Sequence, residues 1–150
     1  MNPSCLKISR LILSTVPIIL KGIQCWEDAV MAAEAGVQGV VLSNHGGRQL
    51  EFARSGIEVL VEVIGELKKR KLFPNPNFQV FLDGGVRRAT DVLKAVALGA
   101  TAGMCKQRRL VEGNSSSLIV GIGRPFLYAY SAYGQEGIDK ALKILHVGAG

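Results

Sequence analysis

The sequence predicts an α/β fold with a parallel β-sheet, in which strands alternate with helices. Four apolar runs, VPIILKG, GVVLSNHGG, FQVFLDGG and LIVGIGRP, each lead into a turn with glycine or a charged residue and then into a helical pattern. The runs are continuously apolar rather than alternating, which is typical of parallel strands that helices bury on both faces. This repeat of strand and helix defines the predicted fold class.

The helical patterns support this order of elements. After the second run, apolar residues recur at the spacing of one helix face: Ile57, Leu60, Val61, Ile64 and Leu67. Pro74 and Pro76 then mark the link to the third strand. After the third run we predict a helix capped by Thr90 and Asp91 and ended by Gly99, with an inward face of Val92, Leu93, Val96 and Ala97.

Two architectures fit four strand–helix units: an open doubly wound sheet, or half of an eight-stranded barrel. Periodicity does not separate them. No GxGxxG sequence stands between a strand and a helix, so a Rossmann dinucleotide site is poorly supported.

Length and composition favour one globular domain. The 150-residue chain is 48% hydrophobic, enough to bury a core. No apolar run reaches the ~20 residues of a bilayer-spanning helix, so we predict no membrane segment. The three cysteines, Cys5, Cys25 and Cys105, lack the spacing of a metal site. Their odd number argues against a disulfide framework and favours a reducing compartment.

The net charge of +6 collects in two basic clusters, KKRK at 68–71 and KQRR at 106–109. Neither cluster alternates with aromatic residues, as a nucleic-acid surface often does. The first follows a helical pattern, where cations complement the helix dipole. We therefore predict solvated helix ends and no nucleic-acid partner.

The segment LSNHGGRQL holds a candidate catalytic pair. His45 and Arg48 stand three residues apart in a glycine-containing loop that directly follows an apolar strand. Chemistry in α/β folds is found at the carboxyl ends of strands. An imidazole beside a guanidinium is suited to a base next to a carboxylate-binding group. The alternative is an ordinary strand-to-helix turn with an incidental histidine.

Two further loops combine glycine with arginine. Residues 83–87 (DGGVR) follow the third run, and residues 123–125 (GRP) follow the fourth. Glycines allow the backbone to approach an anion closely, and arginines supply paired donors. Barrels often build a phosphate site on the loops after strands seven and eight. The two loops therefore predict an anion site.

Four segments, LKGIQ, LSNHGGRQL, DGGVRRATDVLKAVALGA and GIGRPFLYAYSAYG, occur in an order that resembles the FMN-dependent L-α-hydroxy acid dehydrogenases and oxidases, the family of the lactate and glycolate enzymes. The resemblance runs from about Val16 to Leu145. It implies a TIM (β/α)8 barrel, of which this chain holds the C-terminal half, strands five to eight. It also implies FMN as cofactor and oxidation of an L-2-hydroxy acid to a 2-oxo acid.

The resemblance assigns roles by position. His45 matches the catalytic base that contacts the substrate, Arg48 the residue that binds the substrate carboxylate, and Lys21 a lysine near flavin N1 and O2. The FMN ribityl and phosphate loops correspond to Asp83, Gly84, Gly85, Val86 and Arg87, followed by Gly123 and Arg124.

The chain also departs from the family. Residues 1–15 do not resemble family sequence, and residues 16–150 form a partial domain interrupted at 103–119 by a polar, serine-rich insertion in the last strand. The family's remaining active-site residues belong to its amino-terminal half. We therefore expect a truncated form with an incomplete active site. The alternatives are a non-catalytic remnant and a half-barrel that binds phosphate or flavin without redox chemistry.

Partners follow from the same resemblance. The implied substrate is a small 2-hydroxy acid, and the electron acceptor, a cytochrome or oxygen, stays open. The family also makes a homo-oligomer an open expectation. Members occupy mitochondria and peroxisomes, and no targeting signal is visible in this sequence, so the location stays open.

Overall fold

The computed structural model describes residues 16–100 and 120–146. The predicted non-family segment 1–15, the insertion at 103–119 and the basic cluster at 106–109 lie outside these residues.

Strands and helices alternate along the described chain. The elements are, in order, β1 (Ile19–Ile23), α1 (Trp26–Glu34), β2 (Gly39–Leu42), α2 (Gly56–Lys69), β3 (Gln79–Asp83), α3 (Ala89–Ala97), β4 (Val120–Gly121) and α4 (Arg124–His146). The four strands form one sheet in the order β1-β2-β3-β4, and each neighbouring pair is parallel. The predicted α/β fold with a parallel sheet is confirmed.

Helices α1, α2 and α3 pack on one face of the sheet. Val40 and Val80 lie side by side in the register of β2 and β3, and both are fully buried in a core that includes residues of α1, α2 and α3. On the opposite face, Ile19 of β1 is 40% exposed. The expectation that helices bury both faces is therefore wrong for the described residues. The continuous apolar runs had suggested two covered faces, yet the helices that share the core, α1, α2 and α3, lie on one side.

Helix α2 supplies most of the helical side of the core. Its buried positions recur at intervals of three and four residues: Gly56, Val59, Leu60, Val63, Ile64 and Leu67. At its start, the backbone N–H and hydroxyl of Ser55 both donate to the Glu58 carboxylate. The bond from the hydroxyl, followed by the bond from the backbone, lowers the pKa of Glu58. The predicted inward position of Val61 is wrong, since that side chain is 54% exposed. Val59 and Val63 lie closer to the centre of the buried stripe.

The end of α2 carries the first basic cluster. Lys68 and Lys69 lie in its last turn, and the Arg70 guanidinium lies 5.1 Å from the centre of the Trp26 ring. The lysines are exposed, at the helix end where positive charge is favoured.

Helix α3 begins two residues earlier than the sequence suggested. Its N-cap is Arg88 rather than Thr90, and the predicted acidic cap residue, Asp91, lies in the first turn. Leu93 is 50% exposed and Ala97 is exposed as well, so the predicted inward face is wrong at both positions. The buried residues of α3 are Ala89 and Ala95. The side of the helix that faces the core therefore carries small side chains.

Helix α4 is interrupted at Gly134, whose φ of 59° and ψ of −144° are not helical. A positive φ of this kind favours glycine, since a Cβ would be strained there. Several apolar side chains of α4 are exposed, among them Tyr130 and Tyr133. Within the described parts of the chain, no helix is both long and apolar enough to cross a bilayer.

A glycine pair in α2 tests how closely the helix packs on the strand ends. A Cβ on Gly56 would lie 2.8 Å from the carbonyl oxygen of Leu42 and 3.1 Å from that of Asp83. Because these are backbone atoms, we expect Gly56→Ala to lower the free energy of unfolding by about 1–2 kcal/mol. The matched control is Gly65→Ala, where a Cβ meets nothing within 4 Å. It should raise this free energy by about 0.5–1 kcal/mol through helix propensity. Urea unfolding followed by circular dichroism measures both, and equal effects would contradict the close contact.

Candidate active site

A β-bulge in β1 sets the position of Lys21. The register between β1 and β2 shifts between Lys21 and Ile23, so Gly22 is an extra residue in the strand. Its φ of 96° favours glycine. In the sequence LKGI, the glycine after the lysine therefore provides the local irregularity at which the strand bends, next to the candidate flavin-binding side chain.

Three strand ends meet at the Lys21 ammonium group. It donates to Ser43 Oγ at 2.8 Å and forms an ion pair with Asp83 Oδ2 at 2.9 Å. Ser43 follows β2, the strand beside β1, and Asp83 ends β3, the next strand in the sheet. Because the strands are parallel, their carboxyl ends lie at one edge, and polar side chains distant in sequence come into contact there.

The segment after β2 forms a tight left-handed turn. His45, Gly46 and Gly47 have φ values of 56°, 67° and 74°. Three consecutive positive values are uncommon, and the two glycines adopt them without a Cβ penalty. The turn closes when the Gly47 N–H donates to the backbone and side-chain oxygens of Asn44, both at 3.1 Å. This geometry leaves the side chains of His45 and Arg48 exposed at the strand edge.

Arg124 links this turn to the loop after β4. Its Nη2 donates to the carbonyl oxygen of Gly46 at 2.7 Å, across 78 residues of sequence. A Cβ on Gly46 would lie 2.5 Å from the same nitrogen, and the φ of 67° is strained for residues with a Cβ, so glycine favours this approach. One hydrogen bond from a guanidinium leaves further N–H donors for a ligand.

The loop after β3 is held by the helix that follows it. Gly84 and Gly85 both have positive φ values, and Val86 beyond them is buried. The Asp91 carboxylate accepts hydrogen bonds from the backbone N–H groups of Arg87 and Arg88, both at 3.0 Å. These two bonds, the one from Arg87 first, lower the pKa of Asp91.

Lys21, the turn after β2 and the loops after β3 and β4 line one pocket with a volume of about 910 Å³, within the rough 300–1,000 Å³ range of small-molecule sites. The residues that line it include every site residue predicted from the sequence: Lys21, His45, Arg48, Asp83, Gly84, Gly85, Val86, Arg87, Gly123 and Arg124. The structure therefore brings every site residue predicted from the sequence to the same place. Four cationic side chains and one carboxylate line this pocket, a balance that suits an anionic ligand.

Further pocket residues were not predicted from the sequence. They include Asn44, Ser55, Gly56, Leu127 and Tyr128. Asn44 stands beside His45 in the sequence, and its tendency to form turns was an available signal. Leu127 and Tyr128 reach the pocket from α4, and no local pattern marks them as site residues.

Comparison with known proteins identifies the family. A family model for FMN-dependent dehydrogenases matches residues 6–111. Since this match spans more than half of the 150 residues, the chain belongs to the FMN-dependent dehydrogenase family.

The relatives include both dehydrogenases and oxidases. The chain is 52% identical over 130 residues to L-lactate dehydrogenase (cytochrome) of Saccharomyces cerevisiae, which covers 87% of this chain and 19% of the relative. It is 43% identical over 133 residues to the peroxisomal (S)-2-hydroxyacid oxidase GLO3 of Arabidopsis thaliana, covering 89% of this chain and 30% of the relative. The chain thus spans less than a third of either protein.

Solved structures agree with this placement. The recombinant flavin-binding domain of baker's yeast flavocytochrome b2 matches with a TM-score of 0.72 and 51% identity, over 89% of this chain and 29% of that one. A mandelate oxidase with benzoyl-formic acid matches with a TM-score of 0.71 and 37% identity, over 97% and 36% of the two chains.

The pocket has features that fit FMN, the cofactor of this family. Asp83 Oδ1 is buried and has no hydrogen-bond partner among the described residues, so it is available to accept a bond from a ligand hydroxyl group. A Cβ on Gly85 or Gly123 would meet nothing within 4 Å, which leaves open space next to the backbone of both glycine-arginine loops. Lys21, Arg87 and Arg124 supply positive charge for an anionic cofactor.

The hydrogen bonds to Asp91 make the loop after β3 sensitive to acid. The lowered pKa of this carboxyl means that its charged form stabilises the loop at neutral pH. These bonds are lost as pH falls through the lowered pKa. We expect the Arg87 and Arg88 amide signals in NMR spectra to move together below about pH 4. The Asp91→Asn variant should lack this step, and a wild-type chain whose two amide signals stay fixed down to about pH 2 would contradict it.

Proposed function

We propose that this chain forms the cofactor- and substrate-binding part of an FMN-dependent L-2-hydroxy acid dehydrogenase or oxidase, of the lactate or glycolate type. One observation carries the proposal. A single pocket joins a histidine–arginine turn, a lysine and two glycine-arginine loops. Relatives named as a lactate dehydrogenase and a 2-hydroxyacid oxidase support the substrate class.

We further propose that β1 to β4 are strands five to eight of a (β/α)8 barrel, so that the chain is the C-terminal half of that fold. Two features support this arrangement. The strands are parallel and in sequence order, and helices α1, α2 and α3 share the core on one face, as helices do outside a barrel. In such a half-barrel the active site is incomplete, and a second set of residues would complete it.

His45 acts as the general base and contacts the substrate. Its imidazole, exposed on the left-handed turn, accepts a proton from the substrate, either from its C2 carbon or from its hydroxyl group. Histidine suits both routes, because the unprotonated nitrogen of a neutral imidazole can accept a proton. When bound, FMN supplies the acceptor for the two electrons that leave the substrate.

Arg48 binds the substrate carboxylate. Its planar guanidinium can donate two parallel hydrogen bonds to the two carboxylate oxygens, which fixes the orientation of the α-carbon. Because Arg48 follows Gly47 in the same turn as His45, binding at the arginine also sets the distance between the substrate and the base.

Lys21 and the two loops hold the cofactor. The Lys21 ammonium, held by Ser43 and Asp83, supplies a fixed positive charge toward the flavin ring. Asp83, with its free oxygen, accepts from the ribityl chain. The phosphate is bound by the backbone of both glycine loops and by Arg87 and Arg124.

A second candidate is a binder of phosphate or flavin without redox chemistry. The specific observation in its favour is that the glycine-arginine loops and the cationic charge of the pocket do not depend on His45 and Arg48. A non-catalytic remnant that binds neither is the third outcome.

One preparation separates these candidates. The purified chain is mixed with FMN and desalted, its visible spectrum is recorded, and L-lactate or glycolate is added without oxygen. A yellow protein that bleaches supports the enzyme. A yellow protein that keeps its colour contradicts catalysis by this chain and supports the binder, and a colourless protein contradicts both.

His45→Gln tests the base. We expect this variant to stay yellow, because the side chain contacts substrate rather than the phosphate loops. Its bleaching rate should fall by roughly 10²–10⁴-fold, the usual contribution of a general base. Stopped-flow absorbance of the flavin measures this rate. A variant that bleaches at the wild-type rate would exclude His45 as the base.

Arg48→Lys tests the carboxylate site. A lysine keeps the charge but loses the bidentate geometry, so the L-lactate concentration for half-maximal bleaching should rise roughly 10–100-fold. The control is Arg88→Lys, an exposed arginine outside the pocket, which should leave this concentration unchanged. Equal behaviour of the two variants would remove Arg48 from the substrate site.

A further inference from the structure

Ser43 is a buried polar residue at the edge of the site. Its relative exposure is 2%, and it is the only buried polar or charged residue among the described residues. It follows Leu42, the last residue of β2, and its backbone N–H donates to the Ile23 carbonyl oxygen at 3.3 Å. The sheet therefore holds the backbone of Ser43 in place, although the chain turns away from the sheet directly after this residue.

The hydroxyl oxygen of Ser43 accepts two hydrogen bonds from different elements. One comes from the Lys21 ammonium at 2.8 Å, and the other comes from the backbone N–H of His45 at 3.0 Å. A serine hydroxyl has two acceptor positions, and both are used here. One buried atom thus joins the lysine of β1 to the first residue of the left-handed turn.

Both partners need such an anchor. His45 has a φ of 56°, which is uncommon for a residue with a Cβ and persists when surrounding contacts favour it. Lys21 has a long flexible side chain that is 47% exposed, so the ion pair with Asp83 alone would hold it weakly in water. The Ser43 hydroxyl adds a buried second acceptor for that ammonium.

We propose that Ser43 is a positioning residue that holds the Lys21 ammonium and the His45 backbone in one fixed arrangement. The importance of this arrangement for catalysis rests on the proposed function of His45 and Lys21. The arrangement itself rests on the two hydrogen bonds to Ser43. Ser43 acts through these two residues. Its oxygen holds the Lys21 ammonium in place, and it also holds the start of the turn that carries the His45 imidazole.

The test compares Ser43→Ala with two other variants of the full chain. Ser43→Thr keeps the hydroxyl group. Ser55→Ala removes a serine that also lines the pocket but bonds to Glu58 at the start of α2. Ser55→Ala therefore reports the effect of a general loss of stability. Should the alanine variant at position 43 not fold, Ser43→Cys keeps the volume and replaces the oxygen with a weak acceptor.

The first measurement does not depend on activity. NMR hydrogen exchange should show that the His45 amide exchanges about tenfold faster in Ser43→Ala, as expected when a hydrogen bond is lost. The side-chain order parameter of Lys21 should fall in the same variant. Ser43→Thr should restore both values, and Ser55→Ala should leave both unchanged. The positioning role is overturned if Ser43→Ala and Ser55→Ala give the same exchange rate and the same order parameter.

The second measurement uses flavin bleaching by L-lactate. Ser43→Ala should lower the limiting rate by roughly tenfold or more, while the half-saturating substrate concentration changes less than about twofold, since Arg48 is untouched. A change confined to the substrate concentration would contradict the link to His45. If no variant bleaches, the redox function fails, and hydrogen exchange still decides the role of Ser43.

Discussion

The site depends on the Lys21 ammonium group that lies between Ser43 Oγ and Asp83 Oδ2. An ion pair as exposed as this one contributes little to stability, about 0–1 kcal/mol. Its importance is geometric, because it places a positive charge where three parallel strands end. Moving any one strand by one residue would turn its side chain to the other face of the sheet. The strand register therefore determines the site.

Backbone conformation is the second constraint. The turn at 45–47 and the loop at 84–85 both run through positive φ values. Glycine adopts these values readily, whereas His45 does so in a turn closed by Asn44 and next to Ser43. The result is a chain that leaves the sheet sharply and exposes the imidazole and guanidinium at its edge. The same conformation brings backbone N–H groups close to the pocket.

The loops around the pocket are connected to one another. Arg124, at the start of α4, donates to Gly46 in the turn after β2, so a candidate phosphate-binding side chain also supports the candidate catalytic turn. The Asp91 carboxylate holds the loop between them through two backbone N–H groups. Within the described residues, the proposed cofactor-binding and substrate-binding segments share a network of contacts at the carboxyl ends of the strands.

The sequence by itself determined the order of strands and helices, the parallel sheet and, together with the family resemblance, the predicted site residues that line the pocket. These properties follow from local pattern: apolar runs, glycine positions and charged residues directly after a strand. It did not determine which sheet face the helices cover, the exposed positions of Val61 and Leu93, or the contacts of Ser43 and Arg124. Those features join residues far apart in the chain, and only the packing of separate strands and helices against each other brings such residues together.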